Sequence, residues 1–252
     1  MQASILPYQY GWYWISQGFN AFKMQPMALI FWALVTNLLI HLSYFVPIFG
    51  QIAFIVLTPA LTFIALNACR RILQGQKMLL GDWVQPLKTD KAFGRLLKLG
   101  GVYFFFLFLA SVVATSPYLD QISAVFSGTE EINPEEFMAA IRQPVFIFLG
   151  FYLLISILFW HAPALVGWHR IPIKQALFYS MIACWRNKWP MLIYAGFWAG
   201  LYYLFNLFAS VLFGGSAAGL YSFFQTFASL ILFAVLYSTF YPIYKTVFNV
   251  AD

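Results

Sequence analysis

Two histidines and a proline lie near the end of a long uncharged stretch, and their types and spacing could support ligand binding. The stretch runs from Val145 to Trp168, with His161 and Pro163 inside it and His169 just after it. A proline within a membrane helix removes one N–H and frees the carbonyl four residues earlier, here that of Phe159. One interpretation places His161 in a polar cavity at the resulting kink, where its imidazole would hydrogen-bond the head group of a ligand.

A structural role for His161 is the alternative, and the sequence favours it: a neutral imidazole bonds a free carbonyl on a neighbouring helix. His169 follows eight residues later, about 12 Å along a straight helix, so one metal ion cannot easily bind both rings. His161 and Trp168 share a helical face. The candidate ligand-binding or kink residues are Trp160, His161, Pro163, Trp168 and His169. No catalytic residue, metal site or cofactor is predicted.

The elements that position these residues are predicted to be membrane-spanning helices. Hydrophobic residues make up 62% of the chain and charged residues 9%, whereas soluble domains carry about 25% charged residues. Six apolar runs are long enough to cross a bilayer as helices. They cover roughly residues 27–46, 51–69, 99–115, 145–168, 190–213 and 220–244. The predicted fold is an all-α integral membrane protein in which residues 1–252 form one polytopic domain of three helical hairpins.

The predicted spans contain no Asp, Glu, Lys or Arg. An intramembrane ionisable residue usually marks an ion pathway or proton relay, so this composition argues against an ion-coupled transporter. The sequence also lacks a His-Glu-x-x-His pair to hold zinc and supply a base, which argues against an intramembrane metalloprotease. The sequence therefore predicts a protein that is not an enzyme.

The basic residues are distributed unequally between the loops. Thirteen of the fourteen fall on one side of the predicted membrane, and Arg142 alone falls on the other. The positive-inside rule then predicts that the N- and C-termini are both cytoplasmic. The net charge of +6 suits anionic lipid head groups as the counter-charge, rather than nucleic acid.

Three amphipathic helices are predicted at the cytoplasmic interface, over residues 11–24, over 88–98 and after Pro172. The apolar side of the first carries Trp12, Ile15, Phe19 and Phe22, and that of the third carries Ile173, Leu177, Met181 and Cys184. The basic residues predicted to contact head groups are Lys88, Lys91, Arg95, Lys98, Arg170, Lys174, Arg186 and Lys188.

Each hairpin follows one of these interfacial helices, a pattern that indicates an internal repeat with pseudo-threefold symmetry. The units cover residues 11–71, 82–170 and 172–246, and their returning spans contain Pro59, Pro163 and Pro242. On the outer side, a short helix from Asn133 through Ile141 is predicted, because Asn-Pro-Glu-Glu is typical of a helix start.

Gly196 and Gly200 form a Gly-x-x-x-Gly pattern, which lets a second helix approach closely. We expect this face to pack inside the molecule against Ala164 and Gly167 of the fourth span. A dimer face is the alternative.

The segment Phe159–Leu165, followed by Trp168-His169 and by Ala183–Asn187, resembles a signature of a family of small, uncharacterised bacterial inner-membrane proteins. The similarity extends over most of the chain, but the distinctive motif is confined to residues 159–187. The resemblance implies a bacterial inner-membrane location and supplies no reaction, ligand or partner.

Two hypotheses of function remain. The first is a non-enzymatic inner-membrane protein that organises lipid or a membrane protein complex, as a scaffold or accessory subunit. Its partners would be the phospholipid bilayer with its anionic head groups, and other inner-membrane proteins. The alternative is a carrier or channel for a lipid-like or hydrophobic substrate, with the kink at His161 and Pro163 lining its path. A polar-lined cavity that reaches His161 favours the carrier, and a solid aromatic core favours the scaffold.

Overall fold

The computed structural model describes residues 3–88, 91–126, 134–213 and 218–250, and eleven α-helices make up most of this part of the chain. In order they are α1 (Tyr10–Met24), α2 (Pro26–Ser43), α3 (Phe49–Leu73), α4 (Gln85–Lys88), α5 (Ala92–Thr115), α6 (Leu119–Phe126), α7 (Pro134–Phe159), α8 (Ala162–His169), α9 (Ile173–Arg186), α10 (Lys188–Phe213) and α11 (Ala218–Phe248). Single turns of 3₁₀-helix lie at Leu80–Asp82 and Ser116–Tyr118.

Six helical segments in the described ranges are long and apolar enough to cross a membrane. They are Pro26–Ser43, Phe49–Leu73, Ala92–Val125, Glu135–His169, Lys188–Phe213 and Tyr221–Phe248. The predicted all-α integral membrane fold with six spans is confirmed. The fourth span combines α7 and α8, which are separated by the break that Pro163 predicts.

The basic segment before the third span is not one amphipathic helix. Lys88 ends the four-residue helix α4, and Lys91 has a left-handed backbone with φ of 55°. A non-glycine residue in this conformation does not continue a right-handed helix. Arg95 and Lys98 therefore lie in the first two turns of α5, which continues without a break into the third span.

The outer end of the fourth span also differs from the prediction. Asn133 lies outside the described residues, and the helix from Pro134 does not stop at Ile141 but continues as α7 to Phe159. Pro144 lies inside this helix. The sequence did not predict α6, which precedes it on the same side.

Helix α1 packs into the bundle through both large and small residues. Its buried positions are Gly11, Trp14, Ile15, Gly18 and Ala21, whereas Trp12 is 56% exposed. A Cβ at Gly18 would collide with Thr239 of α11, and the Ser238 hydroxyl donates a hydrogen bond to the Gly18 carbonyl at 2.9 Å. Of the predicted apolar side, Ile15 belongs to the core and Phe19 and Phe22 pack against it, whereas Trp12 is exposed.

Helix α9 buries Ala176, Ser180, Ala183 and Cys184. Of its predicted apolar side, Cys184 is thus buried and Ile173 and Leu177 pack against the core, whereas Met181 is 40% exposed. Membrane helices associate closely through small residues because bulky apolar side chains are equally stable against lipid. This rule accounts for the small residues that both helices bury beside their apolar ones.

Helix α11 lies at the centre of the bundle, where α1, α2, α3 and α10 pack against it. Helix α3 also packs along α5, and the two backbones approach so closely that a Cβ at Gly100 would collide with the Val56 carbonyl. The order of helices is compatible with three units, and the pseudo-threefold repeat stays a prediction.

The Gly-x-x-x-Gly pattern is not an internal packing face of the described chain. Gly196 and Gly200 are exposed on α10, and a Cβ added to either would meet no atom within 4 Å. The partner expected for them, the face of α8 at Ala164 and Gly167, is buried elsewhere: Gly167 lies directly against the Phe63 ring of α3. Of the two predictions for this pattern, internal packing against the fourth span is wrong.

Candidate ligand-binding cavity

A serine of α9 bridges the break between α7 and α8. The His161 N–H donates to the Ser180 hydroxyl oxygen at 3.0 Å, and that hydroxyl donates to the Ile157 carbonyl at 3.0 Å. Pro163 is the second residue of α8. The N–H groups in the first turn of a helix have no intrahelical acceptor, so a proline there costs the helix no hydrogen bond. Ser180 thus satisfies backbone groups on both sides of the break.

A cavity of about 170 Å³ adjoins this break. Its walls come from α3, α5, α7, α8 and α11. The polar side chains that line it are Thr58, Thr62, Tyr103, Tyr152, Ser156, His161 and Tyr244. Among the predicted site residues, Trp160, His161 and Pro163 meet here.

The cavity changes from half-exposed at its mouth to fully buried at its floor. Tyr152 of α7 is 41% exposed, and Thr58 of α3 and Ser156 of α7 are half-buried. At the floor His161 is 2% exposed and Ala164 is fully buried. Thr58 lies in the second span, and Tyr152, Ser156 and His161 lie in the fourth. The cavity and its mouth therefore lie within the membrane-spanning part of the chain.

His161 carries a buried polar atom that the described protein does not satisfy. Its Nε2 atom has no hydrogen-bond partner among the described residues. The ring instead packs edge-on against Phe248, with 5.2 Å between centroids. The neighbouring carbonyl expected in the structural alternative is therefore not found at Nε2. A buried polar atom left unsatisfied costs about 1–3 kcal/mol, so a ligand atom that bonded Nε2 would remove this cost.

Three of the cavity hydroxyls can accept a hydrogen bond from a ligand, because their own protons are already used within their helices. Thr58 donates to the Phe54 carbonyl, Thr62 to the Thr58 carbonyl and Ser156 to the Tyr152 carbonyl, at 3.1, 3.0 and 2.8 Å. A hydroxyl has one proton and two lone pairs, so these three oxygens can still accept. No charged side chain lines the cavity. The lining suits an uncharged polar group that has O–H or N–H donors.

The other two predicted site residues lie behind the cavity wall. Trp168 donates its indole N–H to the Asn67 side-chain oxygen at 3.0 Å, and its ring packs 5.1 Å from that of Tyr244. His169 Nε2 is 2.7 Å from the Tyr244 hydroxyl. Both residues therefore buttress Tyr244, which lines the cavity, and neither lines it directly.

The basic residues predicted to contact head groups lie at the ends of helices, and all except Arg95 are exposed. Arg95 Nε and Nη2 each lie 3.3 Å from a carbonyl oxygen, that of Val166 and that of Gly167 respectively. A guanidinium at the C-terminal end of a helix stabilises its exposed carbonyls. Arg95 thus joins the first turns of α5 to the end of α8.

Sequence reasoning overlooked two buried polar residues on α9, Ser180 and Asn187. Asn187 is 1% exposed, accepts the Leu6 N–H at 2.9 Å and donates to the Ser4 carbonyl at 2.9 Å. It thereby fixes the N-terminal segment to the bundle. The signal was present, because Ala176, Ser180, Ala183 and Asn187 recur at steps of four, three and four residues, the spacing of one helical face.

These features define a multi-pass helical membrane protein with a cavity inside its spans. The chain is 30% identical to a protein of Burkholderia thailandensis named "Probable inner membrane protein", over 259 aligned positions that cover 96% of this chain and 92% of the relative. It belongs to the same family as that protein and is a multi-pass membrane protein. No family model and no solved structure matches the chain.

Proposed function

We propose that the protein binds an amphipathic, lipid-like molecule within the inner membrane and transfers or presents it without changing it chemically. The observation that supports this proposal most strongly is the cavity at the α7–α8 break, which His161 lines, together with the unsatisfied Nε2 atom of that residue. A polar-lined cavity that reaches His161 is the feature that separates a carrier from a scaffold.

The chemistry of the lining limits the ligand. Its polar end should be uncharged and carry O–H or N–H groups, which the oxygens of Thr58, Thr62 and Ser156 can accept while His161 Nε2 bonds another. The cavity volume of about 170 Å³ resembles the roughly 150 Å³ that holds a benzene molecule in an engineered protein cavity. It therefore accommodates the polar end only, and the acyl or isoprenoid chain would leave through the mouth into the bilayer.

We further propose that both termini are cytoplasmic. The support is the distribution of basic residues, with Arg142 alone at the far side of the spans. In this orientation the exposed lysines and arginines of α4, α5 and α9 would contact anionic head groups of the cytoplasmic leaflet, each with about 1 kcal/mol of attraction.

A scaffold for lipid or for other inner-membrane proteins is the second candidate. It is favoured by the open face of α10 at Gly196 and Gly200, where a partner helix could approach. In that case ligand occupancy of the cavity would have no bearing on function.

A photo-crosslinking experiment separates the two. The purified protein in lipid nanodiscs is irradiated with a photoactivatable diacylglycerol, an uncharged lipid with one free hydroxyl, and the labelled peptides are mapped. We expect labels on α3, α7 and α8 near the cavity. Ser156→Leu, which narrows the mouth, should reduce them several-fold. Ser210→Leu is the matched control, since Ser210 is an exposed α10 serine with a similar bond to its own helix, 2.8 Å to the Leu207 carbonyl. Equal labelling of the two variants would refute the cavity as a binding site.

A further inference from the structure

A second, more polar cleft of about 280 Å³ lies where the end of α3 meets α4, the start of α5 and the end of α8. Its polar lining includes Asn67, Arg70, Arg71 and Gln85, and Ala92 and Trp168 complete its walls. None of these six residues lines the intramembrane cavity. The cleft lies at the ends of spans, whereas the cavity lies within them.

Arg70 presents an unneutralised charge to this cleft. Its guanidinium lies 5.7 Å from the centre of the Trp168 ring. Among the described residues it makes no hydrogen bond and no ion pair. Trp168 is itself fixed by its 3.0 Å bond to Asn67, so the guanidinium is held on a rigid surface by a cation–π contact.

Arg71 supplies a second guanidinium that is only partly satisfied. Its Nη1 atom lies 3.2 Å from Asp82 Oδ1 and 3.1 Å from Gln85 Oε1. Its Nε atom is buried and has no hydrogen-bond partner among the described residues. Among the described residues two arginines face one carboxylate here, so this part of the cleft carries a net positive charge, and the Arg71 Nε atom is a buried donor without a partner.

Helix α5 adds a third source of positive potential. Its first residue, Ala92, lines the cleft, and the side chain of the preceding Lys91 does not cap it. The first N–H groups of a helix attract anions because they lack intrahelical acceptors and lie at the positive end of the helix dipole.

We propose that this cleft is a binding site for a phosphate group. Two guanidinium groups and a helix N-terminus provide donors from several directions, which matches the oxygens of a phosphate. The phosphate belongs either to an anionic lipid head group or to a free phosphate ion. The cleft lies at the ends of α3 and α5, at the level where a bilayer places its head groups. Both a lipid head group and a free phosphate ion have access to this level. This site does not depend on the proposed cavity ligand.

Native mass spectrometry of the purified protein tests the proposal, with phosphatidylglycerol as the lipid probe and diacylglycerol as its phosphate-free counterpart. We expect phosphatidylglycerol to bind and Arg70→Gln to weaken it by about tenfold or more, since charge-assisted hydrogen bonds are strong. Lys23→Gln is the matched control: it removes one charge from an exposed position at the end of α1 and should change the affinity little.

Gln85→Glu is a second variant. The cleft should stay folded in it, because the new carboxylate would pair with Arg71. The same carboxylate would repel an added phosphate. It should also weaken binding. Inorganic phosphate distinguishes the sources: competition with the lipid, together with thermal stabilisation of wild type but not of Arg70→Gln, indicates a free phosphate site. Lipid binding that resists phosphate indicates a head-group site. Equal losses in Arg70→Gln and Lys23→Gln, or no loss in either cleft variant, would overturn the proposal, because attraction would then be a general property of the basic surface.

Discussion

The Ser180 hydroxyl lies 3.0 Å from the His161 backbone nitrogen and 3.0 Å from the Ile157 carbonyl oxygen, so one side chain of α9 bridges the break between α7 and α8. Ser180 is fully buried. In the apolar interior of a membrane protein, backbone groups freed by a broken helix need such partners. The shape of the cavity wall therefore depends on α9, although no residue of α9 lines the cavity.

Ser180→Ala should destabilise the protein by about 1–2 kcal/mol, because it leaves a buried N–H and a buried carbonyl unpaired. Thermal unfolding in detergent measures the loss. Ser111→Ala is the control, since Ser111 is half-buried on α5 and bonds only the Phe108 carbonyl of its own helix. A Ser180 variant as stable as the Ser111 variant would mean that the bridge is not needed.

His161→Phe should leave stability unchanged or raise it, and should reduce retention of the cavity ligand. Phenylalanine fills a similar volume, keeps an aromatic contact with Phe248 and removes the unsatisfied Nε2 atom. Replacing a polar group in an apolar environment by an apolar one of similar shape can be neutral or stabilising. Functional sites often retain such locally unfavourable residues.

Thermal unfolding and mass spectrometry of co-purified lipids check both halves of this expectation. The control is His41→Phe, because His41 is exposed at the end of α2 and bonds the Asn37 carbonyl of its own helix. A marked loss of stability in His161→Phe would show that the imidazole has a hydrogen-bond partner in the folded protein, which contradicts its proposed role.

The sequence was sufficient to predict the six spans and the break near Pro163, because hydropathy, length and proline act within one segment. It was not sufficient to predict which faces pack. On α1 the predicted apolar side included Trp12, which is exposed, and omitted Gly11 and Gly18, which face the bundle. An apolar side chain such as Trp12 is equally stable against lipid and against another helix, so hydrophobicity alone does not decide which face of α1 packs; close backbone approach also contributes. The contact of Ser180 with His161 spans two helices and 19 residues, which no local pattern encodes.

Asn187→Ala should release the N-terminal segment from the bundle. The Leu6 N–H and the Ser4 carbonyl both bond this side chain at 2.9 Å, so the Leu6 amide should exchange with deuterium about tenfold faster or more. Hydrogen–deuterium exchange of the N-terminal peptide provides the measurement. Asn206→Ala serves as control, since half-buried Asn206 donates to the Tyr202 carbonyl of its own helix and accepts from Gln225 of α11, so neither bond involves the N-terminal segment. Unchanged exchange in Asn187→Ala would mean that other contacts hold the segment.

Cysteine labelling should place Ser123 outside the inner membrane and Gln76 inside the cell. Both positions are exposed, and we expect an impermeant maleimide to label Ser123→Cys but not Gln76→Cys when only the outer membrane is permeabilised. The native cysteines need not be removed. Cys69 is fully buried and Cys184 is 5% exposed, and burial raises the pKa of the Cys184 thiol to about 12. Below that pH the thiol is mostly protonated, and since the thiolate is the reactive form, labelling of wild type at pH 7 should be slow and should increase as the pH rises. Disrupting the inner membrane should then expose position 76. Labelling of Gln76→Cys but not Ser123→Cys before that step would reverse the proposed orientation.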